Sequence, residues 1–417
     1  MLKTKAVIIT IGDELLIGQT IDTNSAWIAR QLNPLGIDVV RRVAVGDTED
    51  AIRHALDEEL PKADIILLTG GLGPTADDIT KPLLCEYFGG KMVVNERVRA
   101  HVVDMFQRRN RPFLERNLKQ AEVPDVCTVL FNRIGTAPGM LFHKDGKIII
   151  SMPGVPFEMV AIMEDEVLPL LKAKYISDAI VHKTTVTIGE GESFIAEKIE
   201  DIETALPKHI KLAYLPSPGL VKLRLTGHGD DKATLEPEVA QYQNKITERL
   251  GNIVVAKEDL TIEEILGLSL KQKGKTLALA ESCTGGYISH LITQIPGASE
   301  YFKGGVVSYL NEVKTSVLHV DAATIETHGV VSEQVATAMA QQVRRLLKSD
   351  YGFGVTGILG PGTEDSKVPL GTVWIAVSDG SETKTKQLKL FYDRIRNKES
   401  AATLGMMLMW KFINNIS

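Results

Sequence analysis

Short apolar runs alternate with amphipathic segments along the first 170 residues. Apolar runs at 6–11 and 38–43 are each followed by a helical pattern, at 24–32 and 48–59, and a further run covers 64–68. Uninterrupted apolar strands that alternate with helices are typical of parallel βαβ units whose sheet is covered on both faces. The pattern therefore predicts an α/β domain over residues 1–170.

The segment from 171 to 255 has a different order of elements. Its pattern predicts strands at 183–188, 211–215, 220–227 and 252–256 and helices at 192–206 and 234–250. The resulting β-α-β-β-α-β order is that of a small split-βαβ, or ferredoxin-like, module. No cluster of potential catalytic residues lies in it, so we interpret it as a spacer or clamp. A helix at 262–272 and a strand from Lys275 then open a second α/β domain over 256–417.

Composition narrows the class of protein without naming a function. A chain of 417 residues fits two to four domains. Its 47 basic and 53 acidic residues give a net charge of −6, so an overall basic surface for nucleic acid is not indicated, although a local patch stays open. Three cysteines without a C-x-x-C pair exclude a disulfide framework and a cysteine-rich zinc site. They fit a reducing cytosol.

The apolar runs also bear on location. The first run is about six residues, shorter than the ~7–15 of a signal peptide, and no run approaches the ~18 of a membrane span. We therefore expect a cytoplasmic protein without a membrane segment.

A glycine-rich turn over 69–80 follows the predicted strand at 65–68. Gly70, Gly71 and Gly73 would let backbone amides approach an anion, and the following helix would point its N-terminus at it. The turn therefore predicts a phosphate or nucleotide site. Asp77 and Asp78 would repel phosphate unless they bind a bridging divalent cation. Alternatively, they are acidic residues of a first helical turn, which the helix dipole stabilises.

Two further polar turns follow predicted strands of the same domain. One covers 12–18, with Asp22, Thr23 and Asn24 beyond it, and the other covers 152–159. Ligands of parallel sheets bind beyond the carboxyl ends of the strands, so the three turns are expected to form one site.

These segments resemble the molybdopterin-binding-like domain of the CinA (competence/damage-inducible) family. The matching stretches are TGGLGPTADDIT, GDELLIGQTIDTN and MPGVPFEM. The resemblance implies a three-layer domain that uses a divalent metal, such as Mg, Mn or Co, to hydrolyse ADP-ribose to AMP and ribose 5-phosphate. The substrate contacts that it implies are Gly70, Gly71, Gly73, Thr75, Asn24 and Glu158. The metal ligands that it implies are Asp13, Glu14, Asp77 and Asp78.

The C-terminal domain opens with another strand, polar turn and helix. Ser282 stands in this turn, where backbone amides can stabilise negative charge, so it is either a nucleophile or an ordinary N-cap. The histidines at 290, 319 and 328 are poorly placed as its base. Lys314 follows a predicted strand at 306–310, and it is either a desolvated base or a solvated lysine at a helix start.

The same region resembles the CinA carboxyl-terminal domain, the nicotinamide mononucleotide deamidase family. The matching stretches are AESCTGG, GGVVSYLNEVK, VTGILGPGT, LGTVWIAV and FYDRIRNKESA. The resemblance implies an α/β deamidase domain with Ser282 as nucleophile, Lys314 as base and Tyr309 as the assisting tyrosine, and no metal for this step. The substrate contacts that it implies are Thr284, Gly285, Gly286, Thr356 and one of Arg394 and Arg396. If that arginine segment is extended, the two arginines cannot both face one pocket.

Some residues depart from the family pattern. Cys283 stands where small residues are common, and it is an alternative nucleophile without a recognisable histidine partner. Tyr392 stands where glycine is usual. Gly352, Gly354 and Gly357 satisfy G-x-G-x-x-G, but no helix is predicted to open at the third glycine, so we do not interpret them as a dinucleotide motif.

The leading hypothesis is a bifunctional enzyme of pyridine nucleotide salvage that binds nicotinamide mononucleotide and ADP-ribose. The family resemblance adds the expectation of a homodimer. An alternative is that the N-terminal domain binds a nucleotide or pterin without catalysis. A further alternative, a competence or DNA-damage partner, gains no support from the net charge, and a nucleic-acid partner is not expected.

Overall fold

The computed structural model describes residues 4–75, 78–110, 112, 115–175, 179–361 and 368–416, with the backbone alone at 115 and 116. Its contacts group the chain into two units, Met1–Val181 with Gly227–Glu238 and His182–Thr226 with Val239–Ser417. In the described ranges, no helix combines the length and the apolar character that crossing a membrane requires.

A six-stranded sheet forms the centre of the first unit. Its strands, together with a separate β4–β5 pair, are β1 (Lys5–Ile11), β2 (Asp38–Val45), β3 (Ile65–Thr69), β4 (Met92–Val94), β5 (Glu122–Pro124), β6 (Thr128–Leu130), β7 (Gly139–Lys144) and β8 (Lys147–Met152). The order is β2-β1-β3-β8-β7-β6, in which the first four strands run parallel, β7 pairs antiparallel with β8, and β6 pairs antiparallel with β7. The predicted parallel α/β arrangement is confirmed.

Helices cover both faces of this sheet. They are α1 (Asp13–Leu16), α2 (Thr23–Leu32), α3 (Glu49–Glu59), α4 (Thr80–Tyr87), α5 (Glu96–Arg108), α6 (Glu115–Leu118), α7 (Pro156–Ile162) and α8 (Leu168–Tyr175). Alternate residues of β1 serve the two faces, because Ile8 packs with α2 and α7 while Ile9 packs with α3 and α4. The predicted three-layer domain is confirmed, and the predicted boundary at residue 170 falls inside α8.

The middle module has the predicted order of elements. These are β9 (Ala179–Ile188), α9 (Glu192–Thr204), β10 (Ile210–Ser217), β11 (Leu220–Gly229), α10 (Lys232–Leu250) and β12 (Val254–Ala256), in the sheet order β10-β11-β9-β12. Val186, Ile188 and Leu220 of this module join the same apolar core as Leu266 and Met406. Within the second unit, these residues therefore pack with the helices that contain Leu266 and Met406, and the role of the module as a spacer or clamp stays a prediction.

The rest of the second unit is a five-stranded sheet with helices on both faces. The strands are β13 (Leu277–Glu281), β14 (Phe302–Val307), β15 (Tyr351–Gly357), β16 (Thr372–Ser378) and β17 (Thr383–Lys389), in the order β14-β13-β15-β16-β17. The helices are α11 (Ile262–Lys273), α12 (Tyr287–Thr293), α13 (Asn311–Ser316), α14 (Ala322–His328), α15 (Glu333–Leu347) and α16 (Arg394–Ile413). The predicted bounds of the strand at 306–310 are wrong, because β14 ends at Val307.

Two glycines of β15 have a packing role. A Cβ at Gly352 would lie 2.0 Å from the carbonyl oxygen of Ala340, and one at Gly354 would lie 2.4 Å from that of Ala336, both on α15. Only glycine lets the helix backbone approach the strand this closely. β15 leads to β16 without a helix at the third glycine, so the exclusion of a dinucleotide motif is confirmed.

Candidate active site

Ser282 lies in the turn between β13 and α12, at the carboxyl end of a central strand. Its backbone amide donates to the carbonyl oxygen of Val355 at 3.0 Å, which extends the sheet by one residue. The N-cap interpretation of Ser282 is wrong, because the N-cap of α12 is Gly286. The hydroxyl of Ser282 is therefore available for another partner.

That partner is Lys314, whose side chain is fully buried. Its Nζ lies 3.0 Å from Ser282 Oγ and donates to the carbonyl oxygens of Ser308 at 2.8 Å and Tyr309 at 3.3 Å. The alternative of a solvated lysine is wrong. The Ser308 amide still donates to the carbonyl oxygen of Glu281 on β13 at 2.8 Å, and the carbonyl groups of Ser308 and Tyr309 then accept from the amine.

Burial lowers the pKa of Lys314 from its usual 10.5 to about 8. A neutral amine has two N–H donors and one lone pair. Since the two carbonyl oxygens can only accept, they take the two N–H groups, and the lone pair is left facing Ser282 Oγ. The arrangement is that of a general base beside a nucleophile.

The pair opens into a cavity of about 260 Å³ in the C-terminal domain. The residues that line it are Ser282, Cys283, Tyr309, Asn311, Lys314, Val330, Val331, Thr356, Gly357, Ile358, Leu359, Gly360, Pro361 and Arg394. Of the substrate contacts implied by resemblance, the structure brings Thr356 and Arg394 to this cavity together with Tyr309. Thr356 Oγ1 donates to the carbonyl oxygen of Val330 at 2.9 Å.

Arg394 is the arginine at the cavity, and it is the first residue of α16. Its Nη2 donates to the Tyr309 hydroxyl at 2.8 Å, and its Nη1 donates to the carbonyl oxygen of Gly360. Arg396 lies outside the cavity, 3.7 Å from Asp393, with 71% of its side chain exposed. The premise of an extended arginine segment is wrong, since both residues are helical and differ by about 200° around the axis.

Three predicted substrate contacts shape the turn instead of lining the cavity. Gly285 and Gly286 have φ angles of 62° and 91°, which glycine adopts without strain. Thr284 is buried, and its Oγ1 has no partner in the part of the chain that the structure describes. The carbonyl groups in that part also leave the backbone amides of Cys283 and Thr284 unpaired. These amides are candidates for stabilising an oxyanion.

Sequence reasoning missed Glu281, which precedes the nucleophile and is 1% exposed. Its carboxylate accepts the amides of Ile288 and Ser289 at 3.1 and 2.8 Å, and the Ser289 hydroxyl at 2.7 Å. Glu281 therefore caps α12 from the end of β13. The signal was an acidic residue at the end of an otherwise apolar strand.

Cys283 faces the same cavity, but burial raises the pKa of its thiol to about 12. Because the thiolate is the nucleophile in cysteine chemistry, Cys283 is predicted to be inert. We expect the Cys283→Ala protein to keep, within about threefold, the wild-type rate of any reaction in which Ser282 is the nucleophile. We also expect iodoacetamide at pH 8 to leave the wild-type rate unchanged. A loss of activity as large as that of Ser282→Ala would contradict this assignment.

In the N-terminal domain, the three predicted turns meet at a cleft of about 380 Å³. Gly70, Gly71, Gly73, Asp78, Glu14 and Glu158 are all among its lining residues. The turns follow β1, β3 and β8, whose parallel carboxyl ends are neighbours in the sheet. The expectation that they converge is confirmed.

Asp78 of the glycine-rich turn accepts hydrogen bonds from other residues of the same turn. Asp78 accepts the backbone amides of Gly73 at 2.7 Å and Thr75 at 2.9 Å, and also the Thr75 hydroxyl. Thr75 is thereby drawn to Asp78 and is not among the residues lining the cleft. Asp77 lies outside the described residues.

The remaining predicted residues take three different positions. Asp13 is not among the residues that line the cleft, and its Oδ1 accepts the amide of Asp47, a lining residue, at 3.2 Å. Glu158 accepts from Asn132 Nδ2 at 2.7 Å, and burial raises the pKa of its carboxyl. Asn24 lines a smaller adjoining cavity of about 110 Å³, to which Glu14 also contributes.

The acidic residues of the cleft are the candidate metal ligands of this domain. Among the described residues, no three histidine, cysteine or acidic side chains lie close enough together to hold a metal ion. Asp78 accepts the backbone amides of Gly73 and Thr75, and Asp13 accepts the amide of Asp47. Asp77, the fourth predicted ligand, lies outside the described residues, so the metal that the resemblance implies stays a prediction and no step below depends on it.

Models of three protein families match this chain. They are described as "Probable molybdopterin binding domain" at residues 7–173, "Damage-inducible protein CinA KH domain" at 182–256 and "CinA C-terminal domain" at 259–413. The third match contains Ser282, Lys314 and Arg394.

Relatives match over nearly the whole chain. A "CinA-like protein" of Flavobacterium psychrophilum is 44% identical over 98% of this chain and 98% of its own length. A "CinA-like protein" of Cytophaga hutchinsonii is 45% identical over 99% of this chain and 98% of its own length. Among solved structures, a protein CinA "with unknown function" from Thermoplasma acidophilum is 33% identical, with a TM-score of 0.37, over 42% of this chain and 99% of its own.

Proposed function

The chain belongs to the CinA family, and from this we propose that its C-terminal domain hydrolyses nicotinamide mononucleotide to nicotinate mononucleotide and ammonia. The observation that supports the reaction class is the buried Lys314 amine 3.0 Å from Ser282 Oγ. The substrate is inferred from the family resemblance of the surrounding motifs.

The first half of the proposed reaction acylates the serine. Ser282 Oγ attacks the carboxamide carbon while neutral Lys314 takes the hydroxyl proton. The carbonyl oxygen becomes an oxyanion, which the unpaired amides after Ser282 would stabilise. Collapse of this intermediate breaks the C–N bond. Lys314 returns its proton to the departing nitrogen, which leaves as ammonia.

The second half releases the acid. Water attacks the nicotinoyl ester on Ser282, and Lys314, neutral again, accepts a proton from this water. When the ester bond breaks, Lys314 gives that proton to Ser282 Oγ. Every proton in this scheme moves through Lys314, so the scheme itself calls for no metal ion.

Arg394 and Thr356 contribute polar groups to the cavity wall. The guanidinium of Arg394 carries a fixed positive charge and planar donors, which suit a phosphate group. We assign the 5′-phosphate to Arg394, with the Thr356 hydroxyl as a neighbouring contact. Tyr309 contacts both residues: its hydroxyl accepts from Arg394, and its own backbone carbonyl oxygen accepts from Lys314.

The rate should depend on pH through Lys314. Because the base acts in its neutral form and its pKa is about 8, kcat/KM should rise as the pH increases through about 8 and level off above it. The measurement should start above pH 7, since the substrate phosphate titrates near about 6. A profile that is already level at pH 7 would contradict the role of Lys314 as the base.

The deciding assay uses the purified full chain and measures ammonia. Wild-type protein should release one ammonia per nicotinate mononucleotide formed, with and without a chelator. No ammonia at any pH between about 7 and 10 would overturn the proposed reaction.

For the N-terminal domain, we propose a nucleotide site in the cleft formed by the three turns. The cleft at the carboxyl ends of β1, β3 and β8 is where parallel sheets bind such ligands. The family resemblance adds metal-dependent hydrolysis of ADP-ribose to AMP and ribose 5-phosphate. The competing proposal is a nucleotide- or pterin-binding module without catalysis.

One experiment separates these two proposals. ADP-ribose is incubated with the full chain, a divalent metal and, in a parallel sample, a chelator. Formation of AMP that stops on chelation supports hydrolysis. Binding of ADP-ribose without AMP formation supports the binding module, and neither outcome changes the ammonia assay of the same sample.

A further inference from the structure

Asn397 is a buried polar residue near the proposed deamidase site that no step above uses. It lies in the first turn of α16, three residues after Arg394, and its side chain is 1% exposed. A buried amide needs hydrogen-bond partners, and those of Asn397 come from the cavity wall and from the bend that precedes Arg394.

The amide connects these two segments. Its Nδ2 donates to the carbonyl oxygens of Leu359 at 3.1 Å and Tyr392 at 2.7 Å, and its Oδ1 accepts the amide of Tyr392 at 3.0 Å. Leu359 belongs to the cavity wall after β15, while Tyr392 belongs to the bend that leads into Arg394. Backbone carbonyl groups only accept, so the orientation of the amide is fixed.

The bend at Phe391 and Tyr392 is held at its two ends, because Leu390 is buried and donates its amide to the carbonyl oxygen of Gly371 at 2.9 Å, and Asp393 caps α16. Phe391 and Tyr392 are 85% and 57% exposed, so side-chain packing does not hold this segment in place. Arg394 follows the bend and reaches back to the carbonyl oxygen of Gly360, the residue next to Leu359. The two segments that Asn397 joins are thus the two that hold the Arg394 backbone and guanidinium.

We infer that Asn397 is a positioning residue that fixes the Arg394 guanidinium at the phosphate end of the cavity. The inference rests on the proposed function, since it assigns phosphate recognition to Arg394. Asn397 itself touches neither the substrate nor the reacting atoms. Its effect should therefore be confined to substrates that carry the phosphate.

The test compares two substrates with four forms of the full chain. The forms are wild type, Asn397→Asp, Arg394→Ala and the double variant, and the substrates are nicotinamide mononucleotide and nicotinamide riboside, which lacks the phosphate. In Asn397→Asp, an acceptor of the same size replaces the amide donor, so the carbonyl oxygens of Leu359 and Tyr392 lose their partner. We expect KM for the mononucleotide to rise about tenfold, with kcat nearly unchanged.

Two comparisons distinguish positioning from general damage. For the riboside, kcat/KM of Asn397→Asp should stay within about twofold of wild type. In the Arg394→Ala background, Asn397→Asp should have no further effect on the mononucleotide. Equal losses for both substrates, or the full loss in the Arg394→Ala background, would overturn the inference.

Asn414→Asp is the matched control. This residue follows α16 at its other end, and its Nδ2 donates to the carbonyl oxygen of Trp410 at 2.9 Å and to Ser269 Oγ at 3.3 Å. It should leave both KM values unchanged. If Asn397→Asp does not fold, Asn397→Ser, which keeps one donor, should still raise KM for the mononucleotide selectively.

Failure of the proposed reaction would be visible separately. If wild-type protein releases no ammonia from nicotinamide mononucleotide, this result contradicts the proposed reaction but not the positioning role of Asn397. The positioning role would then be decided by calorimetry with inorganic phosphate. Asn397→Asp must weaken phosphate binding and Asn414→Asp must not; equal binding by both would overturn it.

Discussion

Replacing Lys314 by methionine is expected to reduce ammonia release from nicotinamide mononucleotide by about a thousandfold or more. The lysine is fully buried, so an unbranched apolar side chain can occupy its space while removing the amine. Ser282 Oγ then has no base, and the departing nitrogen has no proton donor. KM should change little, because Arg394 and Thr356 still line the cavity.

Ser282→Ala should cause a loss of the same size. The double variant should be no worse than either single one, because nucleophile and base act as a unit. Ammonia assays with single-turnover sampling measure all three.

Lys303→Met is the matched control for this set. Lys303 lies exposed on β14, the strand that precedes the Lys314 segment, and its loss should leave the rate unchanged. A Lys314→Met protein that keeps more than about a tenth of wild-type activity, with a normal thermal transition, would contradict the dyad.

Gly70→Ala is expected to lower the free energy of unfolding of the N-terminal unit by about 3 kcal/mol or more. Gly70 has a φ of 122°, and a Cβ there would lie 2.2 Å from the carbonyl oxygen of Ile11. The clash is between backbones of β1 and the β3 turn, so it cannot be relieved by rotating a side chain. Denaturant unfolding followed by tryptophan fluorescence measures the change in a Trp374→Phe, Trp410→Phe background, in which Trp27 of this unit is the remaining tryptophan.

Gly18→Ala separates the two causes of that loss. Its φ is 74°, yet a Cβ there would meet nothing within 4 Å. The control therefore contains the strain of a left-handed backbone, about 1–2 kcal/mol, without the clash. If Gly70→Ala is no less stable than Gly18→Ala, the close approach at the glycine-rich turn does not exist.

The pattern of apolar and polar positions predicted most of the fold. Strand and helix order followed from apolar runs, because buried parallel strands must be apolar on both faces. The first and last residues of the strands and helices were harder to predict from the sequence. The strand predicted at 306–310 ends instead at Val307, because Ser308 contributes its carbonyl group to Lys314 rather than continuing the strand.

The residues of the site could be predicted where the local sequence around each residue indicates its role. Ser282 and Lys314 could be proposed from their turns, although 32 residues separate them. The choice between Arg394 and Arg396 required the structure, because it depends on α16 beginning at Arg394. Asp13, Thr75 and Asp78 could not be assigned from the sequence either. Short acidic and hydroxyl side chains satisfy local backbone amides as readily as they bind a ligand.

The close approach of α15 to β15 has a consequence for the history of this sequence. Gly352 and Gly354 leave no room for a methyl group beneath Ala340 and Ala336. A mutation of either glycine therefore cannot be accommodated by a smaller neighbour, since the obstacle is the helix backbone itself. Inherited changes at these strand positions are expected only together with a shift of the whole helix. The glycine pair should persist through divergence even where the catalytic chemistry is lost.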